Sequence, residues 1–477
     1  MLSLFLLLPF LGIIVLNLPL NGRKDAAAFL YTLSLSIGQA IVVLFNPGGF
    51  WQRPDFWGGF FNLGLYADNL TFVMLLSIGI VVSTAACVGW QTISDHRHRL
   101  NFYNLILIAL IGMNGTVMLT DIFSLYVFLE VTAISSFILI AFQRDLNALE
   151  GAFKYIVLSA LATVLMLTSI AALLLFSGGT SFAAISAAVK SNSNNIFIIS
   201  ALGLFICGLF IKGGLVPFHG WLPAAYSAAP AAVSILLAGI VTKVAGIYVL
   251  IRLVTSVFVF GPIVQINSVL MLVGTFSIII GALAALKQDN FKKILAYSSI
   301  SQVGYIVLGL GCGSPLGIAG AVFHLFNHSI FKSLLFVNSA AVEKQTGSTD
   351  ITKMGGLGAR MPYSNATNLI AIFSTSGIPP MAGFWSKLVI IMALWQMGHF
   401  AYAAIAILVS VITLAYLLTI QRKVFFGILP HELKHIKEAG IWIVIPAVTL
   451  AIIIIGTGLC FPLLFNSFIM PVSSFFK

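Results

Sequence analysis

Long apolar stretches separated by short polar connections run along the whole chain. A membrane-spanning helix needs about 20 mostly apolar residues, and the pattern predicts about fourteen spans, near residues 2–20, 26–45, 69–90, 102–119, 121–142, 150–176, 196–218, 230–251, 262–286, 294–310, 316–342, 364–393, 401–420 and 440–462. The first stretch has neither a basic leader nor a small-residue cleavage site, so we expect a span and not a removable signal. The sequence therefore predicts an all-α membrane protein.

The composition excludes a soluble fold. Hydrophobic residues make up 60% of the 477 residues and charged residues only 8%, whereas soluble domains carry about 25% charged residues. The connections between the predicted spans reach only about 20 residues, which is too short for a separate catalytic domain. Any redox or nucleotide chemistry must then come from a partner subunit.

The chain shows no sequence pattern for a metal or cofactor site. The four cysteines lie far apart in apolar surroundings, without a C-x-x-C pair or the spacing of a zinc or iron–sulfur site, at Cys87, Cys207, Cys312 and Cys460. The G-x-x-x-x-G-K-[ST] loop that binds nucleotide phosphates is also missing from the sequence. We therefore expect no metal and no cofactor in this chain.

Basic residues are unevenly divided between the two sides of the predicted membrane domain. One side holds fifteen, at Arg23, Lys24, Arg97, Arg99, Arg144, Lys287, Lys292, Lys293, Lys344, Lys353, Arg360, Arg422, Lys423, Lys434 and Lys437. The other side holds Arg53, Lys190, Arg252 and Lys477. Cytoplasmic loops carry the excess of lysine and arginine, so this asymmetry predicts that both termini are extracytoplasmic. The net charge of +11 then reflects membrane topology and not nucleic-acid binding.

Five lysines fall inside predicted spans, at Lys154, Lys212, Lys243, Lys332 and Lys387. A charged residue at the bilayer centre costs roughly 2.5–3.5 kcal/mol, so such residues face protein or water and usually serve a function. The spans offer one clear carboxylate to pair with them, Glu130, while Asp121 lies near a membrane edge. Most of these lysines should therefore release protons readily. The alternative for Lys154, near a span end, is that its amine reaches the interface.

Two of these lysines stand beside predicted helix breaks. Gly213, Gly214 and Pro217 follow Lys212, and Gly377, Pro379 and Pro380 precede Lys387. Glycine and proline free backbone carbonyls that buried polar groups or water must satisfy. Interrupted helices in corresponding halves of a membrane protein indicate an ion path. The alternative is a kink that serves packing alone.

Three titratable residues recur every four positions, at His324, His328 and Lys332. On a helix this spacing places them on one face, with neighbours about 6 Å apart. Histidine titrates near neutral pH, so the stripe suits a proton relay. Two alternatives remain: core histidines without a transport role, and a zinc site. Zinc is disfavoured because Leu325 replaces the glutamate of H-E-x-x-H.

Four segments carry a family resemblance. They are Lys212–Pro223 (KGGLVPFHGWLP), continued by Ala229–Ser234 (APAAVS) and Leu237–Gly239; Asn290–Gln302 (NFKKILAYSSISQ); His324–Leu335 (HLFNHSIFKSLL); and Gly377–Lys387 (GIPPMAGFWSK). In this order they resemble the antiporter-like subunits of respiratory complex I, of Mrp-type cation/proton antiporters and of membrane-bound hydrogenases. The resemblance covers most of the chain, from about the third span to the thirteenth.

The resemblance implies fourteen transmembrane helices with two inverted five-helix repeats, each containing a broken helix. The expected division is residues 1–101 with three helices, 102–253 as the first repeat, 254–423 as the second, and 424–477 with the last span. The family pattern pairs Glu130 with Lys212, continues the proton path through Lys243, His324 and His328, and ends it at Lys387, with Lys332 in support. Many relatives place an acidic residue where this chain has Ala224, so any contact made by that acid is absent here.

The function expected from this resemblance is proton translocation by a membrane subunit of a redox-driven complex in a bacterial or archaeal cytoplasmic membrane. Its partners would be other membrane subunits and a peripheral redox arm, which would hold the iron–sulfur clusters, flavin or nickel. The alternative is the D-like subunit of a Mrp-type Na⁺/H⁺ antiporter without redox chemistry. A stand-alone solute transporter is disfavoured by the single buried carboxylate. Protons are favoured over sodium, which usually requires several hard oxygen ligands.

Overall fold

The computed structural model describes residues 2–19, 23–45, 64–192, 194–257 and 264–472. These residues form helices without strands, and three isolated β-bridges join single residues of the connections. In chain order the helices are α1 Leu4–Asn17, α2 Lys24–Phe45, α3 Asn69–Thr92, α4 His96–Met118, α5 Ile122–Ile140, α6 Leu146–Ser177, α7 Phe182–Ser191, α8 Ile196–Gly213, α9 Trp221–Ala228, α10 Ala231–Ser256, α11 Val264–Leu286, α12 Phe291–Gly311, α13 Pro315–Thr346, α14 Pro362–Ser376, α15 Ala382–Gln396, α16 Phe400–Phe425, α17 Ile441–Leu459 and α18 Phe461–Val472.

Eleven helices within the described ranges are long and apolar enough to cross a membrane. The chain is therefore the all-helical, multi-pass membrane protein that the apolar pattern predicts. The 32-residue α13 is not among the eleven, because histidine, asparagine and lysine side chains interrupt its apolar sequence. His324, Asn327, His328, Lys332 and Asn338 are instead buried inside the protein.

The helices begin at polar side chains that cap their first turns. Aspartate accepts a hydrogen bond from a free backbone N–H at the start of α3, α4, α5 and α6, and asparagine does so at α12; the capping residues are Asp68, Asp95, Asp121, Asp145 and Asn290. Such caps satisfy donors that have no partner inside the helix. These five helices thus start at defined residues.

Two helices occupy the centre of the molecule. The apolar part of α10 is completely buried and that of α12 is 94% buried, whereas α1, α6 and α16 present large exposed apolar side chains. In a membrane protein such exposed apolar surface faces lipid or a neighbouring subunit. Titratable side chains on α10, α12 and the adjoining α13 therefore face protein and not hydrocarbon.

The structure differs from the sequence-based spans at four points. Helix α1 runs over 14 residues, shorter than the predicted span 2–20, and the short α7 was not predicted. Arg252 lies inside α10 and is buried, although the pattern placed it in a connection. Lys292 was also assigned to a connection but is buried in the first turn of α12. The predicted positions Arg53 and Lys477 lie outside the described residues.

Candidate functional site: a buried row of lysines and histidines

Glu130 and Lys212 form an ion pair between α5 and α8. The Lys212 ammonium donates to Glu130 Oε1 at 2.7 Å and to the Ser159 hydroxyl at 3.1 Å. The Thr163 hydroxyl donates to the same carboxylate oxygen at 2.8 Å. The lysine side chain is 2% exposed and that of the glutamate 22%, so the ammonium is enclosed while the carboxylate reaches the lateral surface of the protein.

The first helix break lies immediately after Lys212. Helix α8 ends at Gly213, and Gly214 takes a left-handed conformation with φ +67°, which glycine adopts without steric cost. The carbonyl of Ile211 accepts hydrogen bonds from the Gly214 N–H and from the Trp221 indole, the latter at 3.0 Å. The break therefore interrupts the helix while its freed carbonyl stays hydrogen bonded.

Helix α8 meets α10 beside the next lysine of the row. A Cβ atom added at Gly246 would lie 2.4 Å from Gly213 Cα, so the two backbones are in direct contact. Lys243 begins a π-helical segment that includes this contact, a local distortion often found at functional sites. The Lys243 side chain is completely buried, and its ammonium has no hydrogen-bond partner among the described residues.

Helix α13 carries His324, His328 and Lys332 on one buried face. The two imidazole rings are stacked, with centroids 6.2 Å apart, and His324 Nδ1 lies 2.8 Å from the Ser386 hydroxyl. Neither ring nitrogen of His328 has a hydrogen-bond partner within the described part of the chain. Buried polar groups usually bond to protein or ordered water, so this site suits internal water.

Lys332 is anchored to α12. Its ammonium donates to the Leu295 carbonyl at 3.2 Å and also contacts the Ser298 hydroxyl. His328 lies within electrostatic reach of Lys243, Lys332 and Lys387. The structure thus brings the α10 lysine, the α13 stripe and the α15 lysine into one electrostatically connected group.

The second break separates α14 from α15. Gly377 ends α14 with φ +82°, and its N–H donates to the Phe373 and Ser374 carbonyls; Pro379 and Pro380 follow before α15 begins. Lys387 lies on α15, where its ammonium stands 4.6 Å from the centre of the Tyr305 ring. Such a cation–π contact partly compensates for lost hydration. Lys387 Nζ has no hydrogen-bond partner among the described residues.

Lys154 lies apart from this row. Its ammonium pairs with Glu150 one helical turn away, and the two side chains are 47% and 62% exposed. Lys154 is therefore exposed at the surface of the protein, as the interfacial alternative would require. Its pair is a matched reference for the enclosed Glu130–Lys212 pair.

Two further ion pairs with a buried cation, among the described residues, were not predicted from the sequence. Arg252 on α10 donates to Asp68 from both terminal guanidinium nitrogens, with Nη2 and Oδ1 2.8 Å apart, and Nη2 also donates to the Thr71 hydroxyl at 2.9 Å. Lys292 on α12 lies 2.8 Å from Glu343 on α13. One usable signal was that both acids belong to the few carboxylates of the chain. The sequence separations of 184 and 51 residues concealed the pairing.

The Asp68→Asn variant is expected to lower stability by about 3 kcal/mol, because it leaves a buried guanidinium without its partner. Burial by itself raises the pKa of the Asp68 carboxyl, but the opposing effect of Arg252 and Thr71 is larger. The net result is a pKa of about 2, below the ordinary value of 3.8. The pair therefore stabilises the protein above about pH 4 and loses this effect as the pH falls toward 2. Thermal unfolding in detergent measures both effects.

Asp95→Asn is the control for this prediction. Asp95 also caps a helix, but it is exposed and pairs only loosely with His98. If Asp68→Asn unfolded at the same temperature as Asp95→Asn, the buried pair would not contribute as described.

The arrangement suits proton movement better than metal binding or covalent chemistry. Within the described residues no group of three or more histidine, cysteine, aspartate or glutamate side chains could hold a metal ion. The buried row instead combines groups that bind and release protons with unpartnered polar atoms that water can join. These features define the class: a multi-pass helical membrane protein with a charged interior row between two broken helices.

The chain belongs to the family described as NADH:quinone oxidoreductase/Mrp antiporter, TM, which matches residues 120–413. It is 35% identical, over 390 residues, to the D subunit of a Na⁺/H⁺ antiporter of Alkalihalophilus pseudofirmus, covering 82% of this chain and 77% of that protein. It is 32% identical, over 337 residues, to the N subunit of the NADH-quinone oxidoreductase of Desulforudis audaxviator, covering 70% of this chain and 67% of that protein.

A solved structure shares the fold over the full length. A chain of the Mrp complex from Dietzia sp. superposes with a TM-score of 0.90 at 24% identity, covering 100% of this chain and 97% of that one. Together with the family match, this confirms the resemblance found in the sequence, and the chain is an antiporter-like membrane subunit of the Mrp and complex I type.

Proposed function

We propose that this chain translocates protons as one membrane subunit of a multisubunit assembly. The observation that carries the proposal is the buried row that begins at the Glu130–Lys212 pair and ends at Lys387. Buried lysines without carboxylate partners are costly in a membrane protein. A role in proton transfer explains why this chain retains several of them in one connected group.

Two inverted repeats within a fourteen-span fold are supported by matching helix lengths. Helices α4 and α11 both have 23 residues, α6 and α13 both have 32, and α10 and α16 both have 26. One broken helix follows α6 and the other follows α13. The β-bridges Asp121–Ser181 and Asn290–Asp350 join equivalent connections. The first and last residues of these helices support repeats over about residues 96–256 and 264–425, near the expected boundaries of 102–253 and 254–423.

The stripe on α13 has a counterpart on α6. Counted from each helix start, His324, His328 and Lys332 occupy the same positions as Tyr155, Ser159 and Thr163. In the first repeat two of these residues, Ser159 and Thr163, contact the Glu130–Lys212 pair. In the second repeat the equivalent face carries the titratable groups. Each repeat thus contributes the same helix face to the proposed path.

The proposed mechanism is electrostatic. Protonating Glu130, or moving Lys212 away from it, changes the field acting on Lys243. The charge on Lys243 then alters proton affinity at His324 and His328. Each step therefore transmits a change of charge from one buried group to the next along the row.

Lys387 receives or releases the proton at the far end of the row. The nitrogens of His328, Lys243 and Lys387 that have no partner among the described residues are sites where water can complete the transfers. Lys332 supports this path, and Lys154 lies outside it.

The excess of basic residues on one side supports a cytoplasmic location for that side and extracytoplasmic termini. Arg252 is buried within α10, so it no longer counts among the basic residues of the opposite side. The excess of basic residues on the first side is therefore larger than the sequence alone indicated. We place the protein in a bacterial or archaeal cytoplasmic membrane. Its partners would be other membrane subunits and the lipid bilayer, and we expect no binding to nucleic acid.

The assembly is better described as a Na⁺/H⁺ antiporter, with this chain in the place of its D subunit. The relative with that name is more identical and matches over a longer stretch than the quinone-oxidoreductase relative. A redox-driven complex remains the second candidate because of the 32% identity to an N subunit of that enzyme. In that case the cofactors would belong to partner subunits.

Mild-detergent extraction of the native assembly separates these candidates. The co-purifying subunits are identified by mass spectrometry, iron, nickel and flavin are quantified, and ion flux is measured in proteoliposomes. Small hydrophobic partners without cofactors, with proton flux driven by a sodium gradient, would support the antiporter. Partners that hold flavin or iron–sulfur clusters would support the redox complex. If the chain purified without partner subunits and showed no proton flux in proteoliposomes, the proposal would be contradicted.

A further inference from the structure

The Lys292–Glu343 pair lies where α12 begins and α13 approaches its end. Lys292 Nζ stands 2.8 Å from Glu343 Oε2 and donates to the Ala229 carbonyl at 3.2 Å. The lysine side chain is 3% exposed, whereas that of the glutamate is 34% exposed. The ammonium is therefore enclosed by protein, whereas the glutamate side chain is partly exposed to solvent and turns its buried Oε2 toward Lys292.

Two cavities flank the Glu343 carboxylate. One has a volume of about 440 Å³ and is lined by polar side chains that include Asn147, Ser227 and Thr349. The other has a volume of about 730 Å³ and is lined by Asp95 among others. Glu343 borders both cavities. Water on the basic-rich, cytoplasmic side thus has access to this carboxylate from two directions.

The face of α13 that carries Glu343 leads inward to the buried row. Lys332 precedes Glu343 by eleven residues, about three helical turns, so the two side chains share one face of α13 about 16 Å apart. Ser339 lies on the same face between them and is 1% exposed. Its hydroxyl has no hydrogen-bond partner among the described residues. A buried, unpartnered hydroxyl at this point suits a water-linked proton path.

Helix α12 also connects the Lys292–Glu343 pair with Lys332. Lys292 lies on its first turn, and the Leu295 carbonyl and Ser298 hydroxyl that contact Lys332 lie one and two turns further along. The ion pair at the solvent-exposed end and the lysine of the buried row are therefore attached to the same two helices. Lys332 has direct contacts toward the cytoplasmic side, in addition to its place beside the histidines.

We propose that Glu343 is the group through which cytoplasmic protons reach the buried row, and that Lys332 receives them. This inference rests on the proposed function. A proton from water converts the Glu343 carboxylate to the acid and weakens its hold on Lys292. The acid then gives its proton, by way of water and the Ser339 hydroxyl, to a neutral Lys332 amine. The transfer regenerates the carboxylate and leaves an ammonium at Lys332, so charge and atoms balance.

The Glu343→Gln variant in the complete assembly tests this inference by proton flux in proteoliposomes. Glutamine matches the shape of glutamate and can still accept a hydrogen bond from Lys292, but it cannot take up and release a proton. We expect flux to fall by at least about tenfold, while Glu343→Asp retains most of it. Asp289→Asn is the matched control, since it breaks an exposed cytoplasmic pair with Lys423 at 2.9 Å; its flux should stay normal.

The outcomes separate this inference from the proposed function. If the wild-type assembly transports protons and the Glu343→Gln assembly transports them at the same rate, the role of Glu343 is overturned and the proposed function stays intact. No flux in the wild-type assembly would overturn both. Should Glu343→Gln fail to assemble, Ser339→Ala decides, because it removes only a buried hydroxyl. A severalfold loss of flux in assembled Ser339→Ala supports the path, and unchanged flux overturns it.

Discussion

Replacing Lys212 with alanine is expected to abolish ion movement while the protein still inserts and assembles. The ammonium is enclosed and bonds to Glu130 and Ser159, so its loss removes the charge that balances the carboxylate at the start of the row. Proton flux in proteoliposomes, measured on equal amounts of assembled complex, should fall by at least about tenfold.

Two variants distinguish proton transfer from charge pairing at this position. Lys154→Ala removes a lysine from an exposed pair with Glu150 and should leave flux unchanged, since exposed pairs contribute little. Lys212→Arg keeps the positive charge but cannot be deprotonated in a protein, so it should also assemble and still not restore flux. Normal flux in Lys212→Ala or in Lys212→Arg would show that this lysine does not exchange protons.

The second large effect is expected at the far end of the row, where Lys387→Ala should also abolish ion movement. Its ammonium faces the Tyr305 ring and has no hydrogen-bond partner among the described residues. Loss of this group would interrupt the path between the histidines and the second helix break. The same flux assay measures the effect.

Tyr305→Phe is the matched control for Lys387→Ala. It keeps the aromatic ring below the ammonium and removes only the hydroxyl, which bonds to Ala406 and Ser410 on α16. We expect Tyr305→Phe to retain flux. Transport at the wild-type rate by Lys387→Ala would remove this lysine from the path.

The sequence was sufficient to predict an all-helical, multi-pass membrane protein and the two interrupted helices. Apolar runs of membrane-spanning length indicate a membrane protein, and they form helices because every backbone group in hydrocarbon must bond within the protein. The glycines and prolines after Lys212 and before Lys387 predicted breaks because they interrupt helical hydrogen bonding. The structure has both breaks, and φ is positive at Gly214 and Gly377. Spacing also indicated the common face of His324 and Lys332.

Long-range pairing could not be predicted from the chain. Asp68 and Arg252 are far apart in sequence, and nothing in either local pattern specifies that α3 meets α10 at that end. Lys292 counted as a loop residue because it follows a polar connection, but the packing of α12 against α13 buries it. The π-helical turn at Lys243 also depends on tertiary contact, since Gly246 must approach Gly213.

Proton flux through the Lys243→Met assembly is the most direct test of the buried row. Methionine fills similar apolar volume without an ionisable group, and the Lys243 ammonium bonds to no described residue, so the fold should tolerate the change. The account predicts that Lys243→Met complexes assemble and lose flux, by at least about tenfold, while Lys154→Met complexes transport normally. Wild-type flux in assembled Lys243→Met would contradict a proton path through the centre of this protein.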